Sequence, residues 1–408
     1  MDATVNGDSP WQLRPRGSSQ GGLRQYNERV VLQAIRLHGA LAGAEIARLT
    51  HLTAQTVSLI TKRLLDDALL LKGEPQRGKV GQPSVPLALN PDGAFAVGIK
   101  VGRRSMDLLL VDFTGTVRER WSVDYRYPDP QLLRTEIDLR LRELRRKLGP
   151  ARRELVQGVG IAAPLSLGGW QTLLEMPSDV AERWRRTDLR ADVAAMTEWP
   201  VQLLKDTAAA CVAELVAGRG RSVKSFLYVF VDTFIGGGLV IDSHLRHGLS
   251  GNAGAIGSLP LGLAATEGGT PAQLLSVASL LNLERLYADA GLDTAAVADP
   301  RALQDPWRAH TERWLREAGA AIALSVDSAA CLLDLDGVIV DGSFSRELQQ
   351  ALLQATSGAM DRYSWEGVTR PQLLAGTIGS DARAIGGALL PLHAAFAPDR
   401  DLFLKLDA

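Results

Sequence analysis

Along residues 23–39, "LRQYNERVVLQAIRLHG", apolar side chains fall at Val30, Val31, Ala34, Ile35 and Leu37, and the run stops at Gly39. Spacing near 3.6 residues predicts a helix with one buried side, and a glycine just past its end supplies the left-handed turn that closes it. "AGAEIARLT" predicts a short second helix with Ile46 and Leu49 inward. In "HLTAQTVSLITKRLLDDALL" Thr53 stands as N-cap, and Val57, Ile60, Leu64 and Leu65 line one face of a third helix. The period then changes. "LLLKGEPQRGKVGQPSVPLALNP" reads as strand, loop and strand, with Gly73, Arg77, Gly78, Lys79 and Gly81 in the loop.

After Asn90-Pro91 the pattern becomes that of a larger α/β body. "AFAVGIKVGRRSMDLLLVDFTGTVRERWSVDY" predicts a strand meander joined by "GRR" and turning at Thr114-Gly115. A helix over 131–148 follows, then strand "VQGVGIAA", a helix, strand "PVQLLKDT", helix "AAACVAELVAG", and strand "SFLYVFVDTF" turning through "IGGG" into "GLVID". The last third reads as mostly helical around one strand, "DGVIVDG", and closes with the helix "SDARAIGGALLPLHAAF". Alternation of this kind predicts helices laid on sheets, in two lobes facing across a cleft.

Composition narrows the class without deciding it. With 408 residues, 46% apolar and 22% charged, the chain can bury large cores and divides into two or three domains. Its 2 cysteines, Cys211 and Cys331, are too few for a disulfide framework or a Cys-rich zinc site, which suits a reducing cytoplasmic setting. No run approaches a membrane-spanning length, and "MDATVNGDSPWQLRPRGSSQGG" lacks the apolar stretch of a signal peptide, so no membrane partner is expected. Residues 1–22 are too poor in apolar side chains to pack and are expected to form a flexible arm.

Charge is uneven along the chain. Residues 1–90 hold 11 Lys+Arg and 7 Asp+Glu, a net +4, which leaves −5 on the remaining residues of a chain whose formal charge is −1. The basic end fits a polyanion partner, although four charges also make an ordinary solvated face. Two helices joined by "THLT" form a helix-turn-helix whose second helix offers its outer side chains to a DNA major groove. Those are Thr53, Ala54, Gln55, Thr56, Ser58 and Lys62, with Gln55 suited to bidentate pairing with adenine and Lys62 to a phosphate. A small helical packing module that never meets DNA is the plainer alternative. The hairpin behind it supplies a wing, whose Arg77 and Lys79 would lie along the backbone or in the minor groove. Residues 23–90 are thus expected to be a winged helix-turn-helix domain on a double-stranded operator.

The order of motifs resembles that of the ROK family, which groups sugar-responsive transcriptional repressors and sugar kinases on the actin-like ATPase fold. Carrying the resemblance are "RQYNERVVLQAI", "TAQTVSLITKRLLDDALL", "GQPSVPLALNPDGAFAVGI", "LLKDTAAACVAEL", "IGGGLVIDSHLRHGLSGNAGAIGSLPL" and "GSDARAIGGALL". It implies a sugar-kinase-like, two-lobed body over 91–408 that binds an effector and forms homodimers or homotetramers. The repressor branch sets a winged helix before that body, as here.

Departures from the family pattern carry as much information. Kinases of the family open the body with Asp-x-Gly-Gly-Thr, which orients Mg-ATP; here the stretch is "KVGRR", with Lys100 for the Asp and Arg103-Arg104 for Gly-Thr. Lysine cannot hold magnesium, and bulky side chains obstruct the close approach that glycine permits. The second phosphate turn is "DTFIGGG", with Asp232 and Phe234 in place of two glycines. A residual ATP-dependent carbohydrate kinase is the alternative function. Family zinc ligands are replaced by Ser258 and "LGLAATEGGTP", so neither zinc nor another cofactor is expected. Of the family's sugar contacts, Ala255 and Ser258 replace a Glu and a His, Ser178 or Asp179 stands where an Asn is expected, and Asp206 is retained. Asp206 reads equally as a contact to a small carbohydrate-like effector and as a helix N-cap, since one carboxylate can do both. Ser178, Asn252 and Ser258 complete the expected effector set. A third reading keeps the DNA binding but gives the body no ligand.

Overall fold

Three helices and a short sheet make the first unit. In the computed structural model, which describes residues 20–75, 84–167, 175–264 and 268–398, the chain divides into one unit of residues 1–90 with those from Phe396 on, and a second of residues 91–395. Helix α1 (Gln20–His38) ends as expected at Gly39, whose φ of 81° lets its amide reach the Ile35 carbonyl at 2.9 Å. The helix starts at Gln20, so the last three residues assigned to the arm belong to it. Helices α2 (Gly43–Thr50) and α3 (Ala54–Asp66) follow, with the Thr53 hydroxyl accepting the Thr56 amide at 3.1 Å. Val31, Ile35, Ile46, Val57, Ile60 and Leu64 close the core between them, each contributing about 1.5–3 kcal/mol by burial. Leu49 and Leu65 are only half-buried.

Strand β1 (Leu70–Lys72) pairs antiparallel with β2 (Leu87–Leu89), and Leu41 adds a bridge to Leu87 through two backbone hydrogen bonds of 3.0 and 2.8 Å. Three helices backed by this small sheet form a winged helix. The wing residues Arg77 and Lys79 lie outside the described residues.

The second unit is built on two five-stranded sheets. The first holds β3 (Phe95–Val101), β4 (Ser105–Asp112), β5 (Val117–Asp124), β6 (Val156–Ala163) and β7 (Val201–Lys205) in the order β5-β4-β3-β6-β7. The second holds β8 (Phe226–Val231), β9 (Gly236–Ile241), β10 (His244–Arg246), β11 (Gly337–Gly342) and β12 (Gln372–Ala375) in the order β10-β9-β8-β11-β12. In both, three antiparallel strands run out to one edge and two further strands join parallel to the first strand or its neighbour. The second sheet therefore repeats the strand order of the first, giving the two-lobed, sugar-kinase-like α/β body. Burial follows position: β3 is buried at every residue, whereas edge strand β5 alternates half-buried and exposed.

Helices α4 (Pro130–Arg153), α5 (Ser178–Arg185) and α6 (Leu189–Ala194) cover the first sheet. Gly149 takes a left-handed φ of 67° within α4, where the expected helix over 131–148 stops, and Pro150 begins a last short turn. On the second sheet, α8 (Leu275–Ala278), α9 (Leu280–Asp289), α10 (Arg308–Leu333) and α11 (Arg346–Met360) pack around Trp314, Leu348 and Leu352.

Two helices fill the space between the sheets: α7 (Asp206–Ala217) and α12 (Ala382–Phe396). Glycine is what admits α12. A methyl group at Gly160 of β6 would stand 1.9 Å from the Gly387 carbonyl oxygen, and one at Gly386 would stand 1.7 Å from the Ala209 carbonyl of α7. The beginnings of α7 and α12 are thereby brought together, and they carry Asp206 and Arg383.

Candidate functional site

On the outer side of α3, Thr53, Ala54, Gln55, Ser58 and Lys62 are exposed and Thr56 is half-buried, while Val57, Ile60 and Leu64 face inward. The cap places Thr56, whose hydroxyl lies 2.8 Å from that of Thr53. Gln55, Ser58 and Lys62 extend into solvent from a helix whose other side is fixed.

The second place of interest is a cleft of about 190 Å³ in the body. Its walls come from the carboxyl ends of strands: Arg103 after β3, Pro164 to Ser166 after β6, Lys205 to Thr207 at the junction of β7 and α7, and Phe234 to Gly236 after β8. Asn252, Ala255, Gly257, Ser258 and Leu275 close it. Ligands of open α/β sheets sit at just such strand ends, where loops diverge and helices begin. Asp206, Asn252 and Ser258, expected from sequence to bind an effector, are all in the lining. Ser178 is not; it opens α5, exposed behind Pro177.

Asp206 is 5% exposed and is the first residue of α7, the N-cap position being held by Lys205. One of its oxygens accepts the Thr207 amide at 2.9 Å, and the other lies 3.9 Å from Arg383 Nη1. It is therefore not the N-cap, although it does satisfy one amide of the first turn. Lys205 donates to Asn252 Oδ1 at 2.9 Å, and the Thr207 hydroxyl donates to the Gly237 carbonyl at 2.9 Å, which ties α7 to the glycine run of β9.

Behind the cleft lies a charge network that sequence reading did not find. Arg383, 7% exposed, forms an ion pair with Asp232 and packs 5.2 Å above the Phe230 ring. Burial alone would raise the Asp232 carboxyl, but Arg383 and Lys100, with the Thr233 amide, outweigh it and hold Asp232 below the ordinary carboxylate range. Lys100 reaches Ser105 at 2.6 Å and Asp107 at 3.0 Å, and Asp107 also accepts the Ser122 hydroxyl at 2.6 Å. Arg104 forks Glu284 at 2.9 and 3.0 Å, and Arg103 lies 4.5 Å over the Phe234 ring. So Lys100, Arg103 and Arg104 of "KVGRR" and Asp232 and Phe234 of "DTFIGGG" hold one another or their neighbours. Asp232, read from sequence as a replacement for a glycine of the phosphate turn, is paired with Arg383.

Among the lining residues not expected from sequence, Arg103 was legible only as an obstruction to a phosphate grip, Lys205 only as the residue before Asp206, and Phe234 only as a missing glycine. No helix among the described residues is long and apolar enough to cross a membrane.

Comparison with known proteins agrees with this architecture. A family model described as "ROK family" matches residues 96–394, well over half of the chain. The xylose repressor of Bacillus subtilis (strain 168) is 23% identical over 60% of this chain and 62% of its own length, so the match spans about three fifths of that protein. A glucokinase of Halalkalibacterium halodurans is 24% identical over 72% of this chain and 94% of its own. In structure, the chain is similar to a ROK family transcriptional regulator, a homologue of the E. coli MLC protein, with a TM-score of 0.66, 19% identity, and coverage of 92% of this chain and 97% of that one. Residues 91–408 are 318 of 408, or 78%, so a match of 92% has to run into the winged helix as well as the body. The chain belongs to the ROK family.

Proposed function

We propose that this chain is a DNA-binding transcriptional regulator, a repressor of carbohydrate-related genes, whose operator affinity is set by a small sugar-like effector bound in the cleft at Asp206. The observation that carries the reading is the first unit: a helix-turn-helix in which Val57, Ile60 and Leu64 are buried while Gln55, Ser58 and Lys62 stand clear of the protein. A helix so held can place its outer side chains against base edges without itself reorganising. Two protomers, as a homodimer or within a homotetramer, would set two such helices on successive major grooves of a near-palindromic operator. Effector binding and operator binding are then coupled, each weakening the other by the same factor.

The likeness to the Bacillus subtilis xylose repressor favours this reading, while the glucokinase likeness favours an enzyme. The geometry of the turns weighs against the enzyme. Phosphoryl transfer needs a carboxylate to hold magnesium and a glycine turn open to phosphate oxygens. Here Lys100 stands at the first position and is engaged by Asp107, Arg103 covers Phe234, and Asp232 is paired with Arg383. An ATP-coupled assay of the full chain against a panel of hexoses and pentoses tests the choice. The expected result is no turnover with any sugar, together with salt-sensitive binding to an operator duplex; steady phosphorylation of one sugar would restore the kinase.

A further inference from the structure

The charges in and behind the cleft are not balanced. Arg103 and Lys205 in its lining and Arg383 behind it supply three cations, while Asp206 in the lining and Asp232 behind it supply two carboxylates, and Arg383 and Asp232 satisfy each other. What remains facing the cleft is Asp206 with Arg103 and Lys205, an excess of one positive charge. Arg103 makes no hydrogen bond and no ion pair among the described residues; its guanidinium lies on the Phe234 face, with its donors unspent. Burial holds it below the ordinary arginine value, and the nearby Asp206 and Asp232 offset this only in part. Among the described residues Lys205 likewise has no carboxylate at ion-pair distance, and its ammonium donates to Asn252. Its ammonium is also pulled down by burial, partly offset by Asp206.

A guanidinium in that position matches a planar or tetrahedral oxyanion through paired N–H donors. Asp206, whose carboxyl accepts the Thr207 amide, argues against a bare anion and calls for hydroxyl donors opposite it. The cleft volume of about 190 Å³ lies below the roughly 300 Å³ at which pockets for drug-sized ligands begin, so it suits a monosaccharide, and at Pro164, Leu165 and Ser166 it adjoins a second cavity of about 620 Å³. We propose that the ligand of this cleft is a monosaccharide-sized polyol bearing one anionic group, a carboxylate or a phosphate, forked by Arg103 beside Lys205, with its hydroxyls donating to Asp206 and bonding Asn252. The inference rests on the regulator reading for its purpose, and on Arg103, Lys205 and Asp206 for its chemistry.

Calorimetry on the full chain tests it with glucuronate and gluconate as carboxylate probes, glucose 6-phosphate as the phosphate probe, and glucose and xylose as neutral ones. At least one acid binds, its neutral counterpart binds about 10- to 100-fold more weakly, and Arg103→Gln removes a similar factor for the acid only. Whichever acid binds identifies the anionic group. Because Arg103 holds no carboxylate of the protein, the melting temperature of Arg103→Gln stays near that of the parent. Arg103→Lys, which keeps the charge and loses the fork, falls between them, and it carries the test should the Gln variant not fold. Binding of a neutral sugar as tight as that of any acid, acid affinity unchanged by Arg103→Gln, or a panel in which no acid binds each overturns the proposal. Operator binding by the ligand-free chain is measured alongside. A neutral sugar that releases the operator would overturn the anionic ligand and leave the regulator standing; a chain that binds no operator would overturn the regulator alone.

Discussion

The outer side of α3 and the cleft at Asp206 are both lined by polar side chains, yet they are held in opposite ways. On α3, Gln55, Ser58 and Lys62 are exposed, and the helix is fixed from its far side by Val57, Ile60 and Leu64. In the cleft, Asp206 is buried and the network behind it is made of charges that hold one another: Arg383 with Asp232 and Lys100 with Asp107. An exposed polar face on an apolar scaffold can be changed residue by residue at little cost to folding. A charged floor cannot, because removing one member strands its partner away from water.

The largest effect therefore belongs to the floor. Arg383→Met leaves Asp232 and Asp206 without their shared cation and should destabilise the body by about 3–5 kcal/mol, the range for breaking a buried pair from one side. Tryptophan fluorescence during urea unfolding reads this, since all 8 tryptophans but Trp11 lie after residue 90. The same variant should change the pH dependence. Asp232 is held below its ordinary value of 3.8 by Arg383 and Lys100 against the effect of burial, so the stability it contributes is present above that value and is lost as pH falls through the native one. The gap in unfolding midpoint between parent and Arg383→Met should accordingly narrow below about pH 4, and a gap that widens in acid would remove Asp232 from the explanation.

Next is Asp206→Asn, which retains the shape and an acceptor for the Thr207 amide but not the charge. It should fold, bind operator normally and lose about 1.5–3 kcal/mol of effector affinity in calorimetry. Unchanged affinity would reduce Asp206 to a residue of the helix start.

At Gln55 and Lys62 of α3 the effects should fall on DNA and spare stability. Gln55→Ala is expected to cost about 1–3 kcal/mol on the preferred duplex and to relax the sequence preference at one position, while Lys62→Ala weakens all duplexes alike and lowers the salt slope by about 1. Anisotropy titrations across a salt series separate the two. Smallest is Thr53→Ala, which loses the cap on α3 and about 1 kcal/mol of stability, measurable by circular dichroism of the full chain.

Local features were the ones legible in the sequence. The Thr53 cap, the glycine stop at Gly39 and the first three strands of the body each depend on a few neighbouring residues, whereas α7 opens at Asp206, two residues before the expected helix, with Lys205 as its N-cap. Strands β10 and β12 were not legible, being three and four residues long and made by pairing with partners already in the sheet. The charged floor was hidden for a different reason. Arg383 meets Asp232 only because glycines at 160, 386 and 387 let α12 settle between the sheets, and nothing next to either residue in the chain reports that contact. Substitutions in the two turns were legible as losses, while the partners they acquired, Phe234 for Arg103 and Glu284 for Arg104, were not. Residues Arg77 and Lys79 remain expectations from the sequence.

The central claim is that α3 reads DNA, and selection from a random-sequence duplex pool with the full chain tests it most directly. Enrichment of a near-palindromic sequence is expected, bound in a steeply salt-dependent way by the parent and lost in a chain carrying both Gln55→Ala and Lys62→Ala. A pool that enriches nothing, or an enriched duplex that the doubly substituted chain binds as tightly as the parent, would contradict the account.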